Sequence, residues 1–140
     1  MAWAANATTS FIIPNSRDSS LNSTQGTGTF TGVAWIDVAH SDNSTWIGNV
    51  IFTPTAHTFW HRHEGGQLLK VTAGSGWVAD RDGEARRVHA GDTAWCPPGT
   101  VHWHGADAGS YMIHYAAAFG ATEWMEEVSD EDYAKAVVQL

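Results

Sequence analysis

The 140-residue sequence predicts an all-β fold, a small sandwich or barrel finished by a short C-terminal helix. Two observations carry this. Short runs of strand character follow one another at 29–38, 46–53, 58–63, 67–72, 76–80, 85–89, 93–96, 101–105 and 111–118, and strands this short and this closely spaced belong to sheets folded back on themselves. After residue 120 the pattern changes: Tyr133, Ala136, Val137 and Leu140 recur at helical spacing.

Residues 1–32 read as an extended N-terminal arm, rich in Ser, Thr, Asn and Gly, with one apolar patch at Phe11-Ile12-Ile13 and room for one strand. Asn6-Ala7-Thr8, Asn22-Ser23-Thr24 and Asn43-Ser44-Thr45 match the glycosylation sequon, but such triplets arise readily in this composition and read as solvated loop. Residues 33–120 form the barrel. Its strands are separated by Ser41-Asp42-Asn43, Glu64-Gly65-Gly66, Ala73-Gly74-Ser75, Asp82-Gly83, Ala90-Gly91-Asp92 and Pro97-Pro98-Gly99. Asp82-Gly83 is a hairpin signal, because both residues tolerate positive φ. Residues 121–140 form the helical tail, where Thr122 caps a turn beginning at Glu123. Ser129 with Asp132 resembles a capping box without its usual Glu or Gln.

The length fits one domain. A net charge of −8 argues against binding nucleic acid or an anionic membrane surface, both of which call for clustered Lys and Arg. No apolar run approaches the ~20 residues of a membrane span. The N-terminus lacks a charged segment followed by an apolar core, so no secretory signal is expected. The single Cys96 cannot form an intramolecular disulfide, which suits a reducing, cytoplasmic setting. Eight Trp is a high count for this length, and such rings fill cores and interfaces or line a ligand pocket.

Two clusters carry the chemistry. In His61-Arg62-His63-Glu64-Gly65-Gly66-Gln67 the two imidazoles stand at i and i+2 and share one face of a strand. Gly65-Gly66 permit a sharp turn, after which Gln67 can point inward beside them. In Gly91 through Pro97-Pro98-Gly99-Thr100-Val101-His102, a third His follows a Pro-x-Gly turn, and His104 shares its face. Imidazoles accept many divalent metals, so this pattern defines a divalent site without naming its occupant. His114 alternates with Met112 and Ala116 on one face. Arg62, Glu64 and His89 read as solvent-facing, whereas His40 and His57 are left open.

These clusters resemble the two motifs of the cupin superfamily. His61, His63, Gln67 and Gly74 fall on the first, and Gly91, Pro97, Gly99 and His102 on the second. Thr55 stands where the first motif has Gly, Ala106 where the second has Asn, and Gln67 replaces the usual Glu. The resemblance implies a double-stranded β-helix, or jelly-roll barrel. Between about residues 50 and 133 the chain is similar to small bacterial cupins that include manganese-dependent hydroxynitrile lyases. Trp60-His61, Val71-Thr72-Ala73-Gly74, His102-Trp103-His104-Gly105-Ala106, His114 and Glu123-Trp124-Met125-Glu126 carry that similarity.

It implies one divalent metal ion on His61, His63, Gln67 and His102, manganese foremost, with iron, zinc, nickel or cobalt also suited. It implies catalytic assistance from His104 and His114, with Thr58 on a pocket position. A Gln ligand leaves the cation's charge uncompensated, which favours Lewis-acid over oxidative chemistry. The implied function is non-oxidative lyase or isomerase chemistry on a small carbonyl or hydroxyl compound, either hydroxynitrile lyase-like or a natural-product biosynthetic step. Gly48 and Ala116-Ala117-Ala118 leave room for an aromatic or polycyclic substrate. A cupin dioxygenase and a non-catalytic metal- or ligand-binding cupin are the alternatives. Small cupins often pair, so a homodimer is expected, with the arm swapped or packed at its interface and Phe11-Ile12-Ile13 added to the neighbouring sheet edge. Deleting residues 1–20 is therefore expected to shift the protein toward monomer on size-exclusion chromatography, and a dimer of unchanged stability rejects this role for the arm.

Overall fold

The computed structural model describes residues 8–137. Their strands are β1 (Thr24–Gln25), β2 (Phe30–Thr31), β3 (Ala34–Ser41), β4 (Thr45–Phe52), β5 (His57–Thr58), β6 (His61–His63), β7 (Gln67–Asp80), β8 (Ala85–His89), β9 (Thr93–Cys96), β10 (His102–Ala106), β11 (Met112–Phe119) and β12 (Thr122–Trp124), followed by one helix, α1 (Asp130–Val137). All pairings are antiparallel, in the order β1-β3-β4-β11-β7-β10-β5-β2, with β8 and β9 on β7, β6 on β10 and β12 on β6.

The fold closes because β7 belongs to both walls. Gln67–Gly74 pairs with β11, and the start of that stretch also pairs with β9. Ser75–Asp80 pairs with β8 and β10. The sequence pattern predicts a turn at Ala73-Gly74-Ser75, but the strand runs straight through it. Gly74 takes φ +72, and a Cβ there would lie 1.9 Å from the Tyr111 carbonyl oxygen. The register slips by one between Ile113 and His114. Gly inside a strand here marks a bulge at a corner rather than a chain reversal.

Other boundaries shift for local reasons. The run 29–38 breaks after Gly32, at φ +79, so that β2 joins β5 on one wall and β3 joins β4 on the other. The run 58–63 breaks into β5 and β6. Phe11-Ile12-Ile13 forms no strand here, and the Phe11 ring lies 5.2 Å from that of His40. The expected helix over 121–140 is confined to Asp130–Val137 among the described residues. Thr122 caps nothing: Thr122–Trp124 pairs instead with His63–His61, as suits a β-branched and an aromatic residue. Ser129 does cap α1, its hydroxyl accepting the Asp132 N–H at 3.1 Å. Leu140 and the sequon residues Asn6-Ala7 lie outside the described residues.

One buried cluster joins Phe52, Val71 and Met112. A second joins Trp60, Trp77, Trp103 and Val128 with Ala136 of α1. Burying each large side chain contributes roughly 1.5–3 kcal/mol. Tyr133 fastens the helix, donating to the Ala106 carbonyl at 2.8 Å and stacking on His57 at 4.5 Å. The buried Asp107 carboxylate accepts from Ser75 (2.7 Å), Trp77 Nε1 (2.7 Å) and Arg87 (2.6 Å), tying β7 and β8 to the end of β10. Among the described residues no helix is long and apolar enough to cross a membrane.

Thr55 carries a local strain. Its φ is +74, which is costly for a β-branched residue. The backbone is held there by its N–H to Asp107 O at 2.9 Å and by His57 Nδ1 donating to its carbonyl at 2.7 Å. Thr55→Gly is expected to stabilise the protein by about 1 kcal/mol, the relief of left-handed strain exceeding the entropy Gly adds to the unfolded chain. Chemical denaturation measures this, and an unchanged or lowered midpoint refutes it.

Candidate metal centre

The site grows from the ladder between β6 and β10, where His61 lies directly opposite His102. β6 alternates buried, exposed, buried, so His61 and His63 point inward while Arg62 turns out to an ion pair with Glu123 at 2.6 Å. His102 and His104 share the inner face of β10, Gln67 opens β7, His114 stands on β11 and Thr58 on β5. All seven side chains are buried. Ring centroids separate His61 from His102 by 4.3 Å, His61 from His63 by 5.0 Å and His63 from His102 by 5.8 Å. Gln67 Oε1 lies 3.1 Å from His102 Nε2.

Hydrogen bonds orient the rings. His61 Nδ1 donates to the Phe59 carbonyl and His102 Nδ1 to the Thr100 carbonyl, each at 2.9 Å, while His63 Nδ1 pairs with Thr122 Oγ1 at 2.9 Å. Donation from Nδ1 leaves Nε2 as the lone-pair nitrogen, the arrangement that outer partners impose on metal-ligating His. His63 Nε2 is buried without a hydrogen-bond partner. Imidazole nitrogens and an amide oxygen are donors that divalent cations accept. Among the described residues, the His/Cys/Asp/Glu group whose ligand atoms all lie within 4.8 Å of one another is His61, His102 and His104. That trio shares two residues with the expected set and has His104 where His63 was expected.

His104 differs from the other rings. Its Nδ1 contacts His114 Nε2 at 3.1 Å, its Nε2 is buried without a partner, and its backbone N–H donates to Thr58 Oγ1 at 3.2 Å. Burial holds its pKa well below the usual imidazole value, with the neighbouring His114 adding to the effect. Burial also holds His114 and His63 down to about 4, His102 reinforcing the shift at His63. His61 is held well below the ordinary value by burial and by His102. A cluster this desolvated is a set of neutral bases.

The site opens into a cavity of about 420 Å³, walled away from the imidazoles by Phe30, Trp46, Trp124 and aliphatic side chains. Pattern reading missed Thr122, Phe30, Trp46 and Trp124. Thr122 gave no local signal, since it meets His63 across 59 residues. Arg62, Glu64 and His89 are exposed, as expected. His40 is buried beside Asp42 at 2.8 Å, and His57 packs under α1, so neither joins the site. Cys96 opposes Gln67 in the ladder, buried with Leu69 and Ala116, and burial pushes its thiol up to about 12.

A curled antiparallel sheet with inward imidazoles from three strands is a double-stranded β-helix whose histidine cluster is compatible with a divalent metal ion. The cupin domain model matches residues 48–113. The (R)-mandelonitrile lyase of Granulicella tundricola is 42% identical over 113 residues, covering 76% of this chain and 86% of that protein. The chain belongs to the cupin family. A cupin-like protein of Thermotoga maritima superposes with a TM-score of 0.81 at 34% identity, covering 88% of this chain and 100% of that one. The polyketide cyclase RemF of Streptomyces resistomycificus shares the fold at a TM-score of 0.58 and 18% identity, over 71% of this chain and 75% of that one.

The anchoring pattern predicts that His63→Ala loses bound divalent metal while His104→Ala keeps it. Elemental analysis of the purified variants decides, and the opposite result puts His104 in the coordination sphere.

Proposed function

We propose that the chain is a metal-dependent lyase that cleaves a small cyanohydrin, or a related hydroxyl compound, without oxidation. The observation that carries this reading is the hydrogen-bonded pair His104–His114, fully buried beside the candidate ligands at the polar end of an apolar cavity. The 42% identity to a mandelonitrile lyase supports it. His61, His63, His102 and Gln67 would hold the ion, with manganese the first candidate. When bound, the cation supplies Lewis-acid stabilisation of charge on the substrate oxygen.

The chain's own groups account for the proton. Thr58 Oγ1 accepts the His104 backbone N–H, which leaves its hydroxyl hydrogen to orient the substrate oxygen. His104 Nε2 accepts the hydroxyl proton as the bond from carbon to cyanide breaks. The bonding electron pair leaves with cyanide, and the carbinol carbon becomes a carbonyl. His104 Nδ1–H donates to His114 Nε2, so the positive charge spreads over both rings. The proton then passes to cyanide, and the products are an aldehyde or ketone and hydrogen cyanide. The neutral Gln67 leaves the cation's charge undiminished, which favours this polar route.

The homodimer also belongs to this reading. Ile47, Ala117, Leu68 and Trp95 face each other in one row across the outside of β4, β11, β7 and β9, an apolar surface suited to a second copy. The buried, protonated Cys96 is compatible with the cytoplasm.

His114→Phe is expected to retain the metal and lower cyanide release from mandelonitrile at least about 100-fold, the usual contribution of general acid–base catalysis. The assay is run without oxygen. Unchanged release in both His114→Phe and His104→Gln removes the pair from the mechanism, and oxygen uptake by iron-loaded protein in place of cyanide release favours the dioxygenase.

A further inference from the structure

We propose that Thr122 is a positioning residue whose hydroxyl fixes the tautomer of His63 and keeps the Nε2 lone pair of that ring turned into the cavity. This deepens the proposed function and rests on His63 being a ligand of the ion. The three imidazoles assigned to the ion are not oriented alike. His61 and His102 give their Nδ1 hydrogens to the backbone carbonyls of Phe59 and Thr100. A carbonyl only accepts, so those two rings carry no hydrogen on Nε2, whatever side chains surround them. At His63 the partner of Nδ1 is instead the Thr122 hydroxyl, at 2.9 Å. A hydroxyl can donate or accept, so the tautomer of this ring is set by a side chain. His63 Nε2 is buried without a hydrogen-bond partner. A hydrogen there would be a buried donor with no acceptor, whereas a lone pair there is what a cation takes up. The hydroxyl therefore accepts from Nδ1.

The strand that carries Thr122 is built to hold this contact. β12 runs antiparallel to β6, with Thr122 directly across from His63, Glu123 from Arg62 and Trp124 from His61. Alternation turns Thr122 and Trp124 to the imidazole face and Glu123 outward to Arg62. Backbone bonds extend the pairing at both ends. The Glu64 N–H donates to the Ala121 carbonyl at 2.9 Å, and the Met125 N–H donates to the Trp60 carbonyl at 2.9 Å. The hydroxyl is thus delivered by backbone that a change of side chain leaves in place. Thr122 is itself exposed. Val matches its shape and its strand preference, so Thr122→Val removes the acceptor without opening a cavity in the core.

The test uses the full-length protein and its Thr122→Val, Thr122→Ser and His63→Ala variants. Two-bond nitrogen–proton NMR correlations, recorded near neutral pH after a chelator has removed metal, read the tautomer of each ring, and His63→Ala assigns the His63 signals. The hydrogen is expected on Nδ1 of His63 in the unmodified protein and in Thr122→Ser, and to move toward Nε2 in Thr122→Val. Cobalt(II), competed against a chelator, is expected to bind Thr122→Val about 10- to 100-fold more weakly, the usual effect of removing the outer partner of a ligating His. Thr122→Ser is expected to restore the affinity. Thr122→Ala takes the place of a Val variant that does not fold. A tautomer unchanged in Thr122→Val overturns the positioning role. So does a loss of affinity that Thr122→Ser fails to restore, because it marks lost packing rather than a lost hydroxyl. The two readings separate. A His63 tautomer that follows Thr122, in a protein whose cobalt affinity is indifferent to His63→Ala, keeps the positioning role and loses His63 as a ligand. Cobalt binding that depends on His63 while its tautomer ignores Thr122 does the reverse.

Discussion

The site depends on β10 being hydrogen-bonded along both edges. β7 runs along one side from Asp80 to Gly76, and β6 and β5 take the other. All five residues of β10 are buried. A strand held on both sides cannot slip by one residue without turning every side chain to the opposite face. That constraint keeps His102 across from His61 and directs His104 to the same interior. Asp107, just beyond the strand, fixes the register by gathering Ser75, Trp77 and Arg87 onto one carboxylate.

The interior these strands create is costly to fill with imidazoles. Each buried ring gives up water, and a polar nitrogen without a partner loses on the order of 1–3 kcal/mol. The chain offsets part of this by giving Nδ1 of His61, His63 and His102 an outward partner. Buried ring nitrogens without a hydrogen bond remain at His63, His104 and His114. The fold thus supplies the packing, through its Trp- and Phe-rich clusters, that offsets a group of unsatisfied donors and acceptors around one cavity. Buried polar atoms without a partner call for an explanation, and a bound ligand or ion in the cavity they face is one.

Much of this was legible in the residues. The His-x-His alternation places two rings on one face by strand geometry alone, and the Pro-x-Gly turn before His102 marks where the partner strand begins. Ser129 announced its helix correctly. The errors fall where long-range contacts override local preference. Gly74 reads as a turn, yet the Tyr111 carbonyl pressing against it makes it a bulge. Thr122 reads as a cap, yet pairing with β6 draws it into a strand and beside His63. The aromatic walls were invisible because Phe30, Trp46 and Trp124 lie far apart in sequence and meet only when the barrel closes. Thr55, the departure from the Gly of the cupin motif, keeps the left-handed backbone of that position despite its side chain.

Cys96 shapes the chemistry by staying out of it. It sits next to Gln67 across the ladder. Packed among Leu69 and Ala116 and kept protonated by burial, it presents an inert sulfur in place of an anionic one. The sulfur thus adds bulk to the barrel wall beside Gln67 without adding charge, and the polar groups that line the cavity are imidazole, amide and hydroxyl.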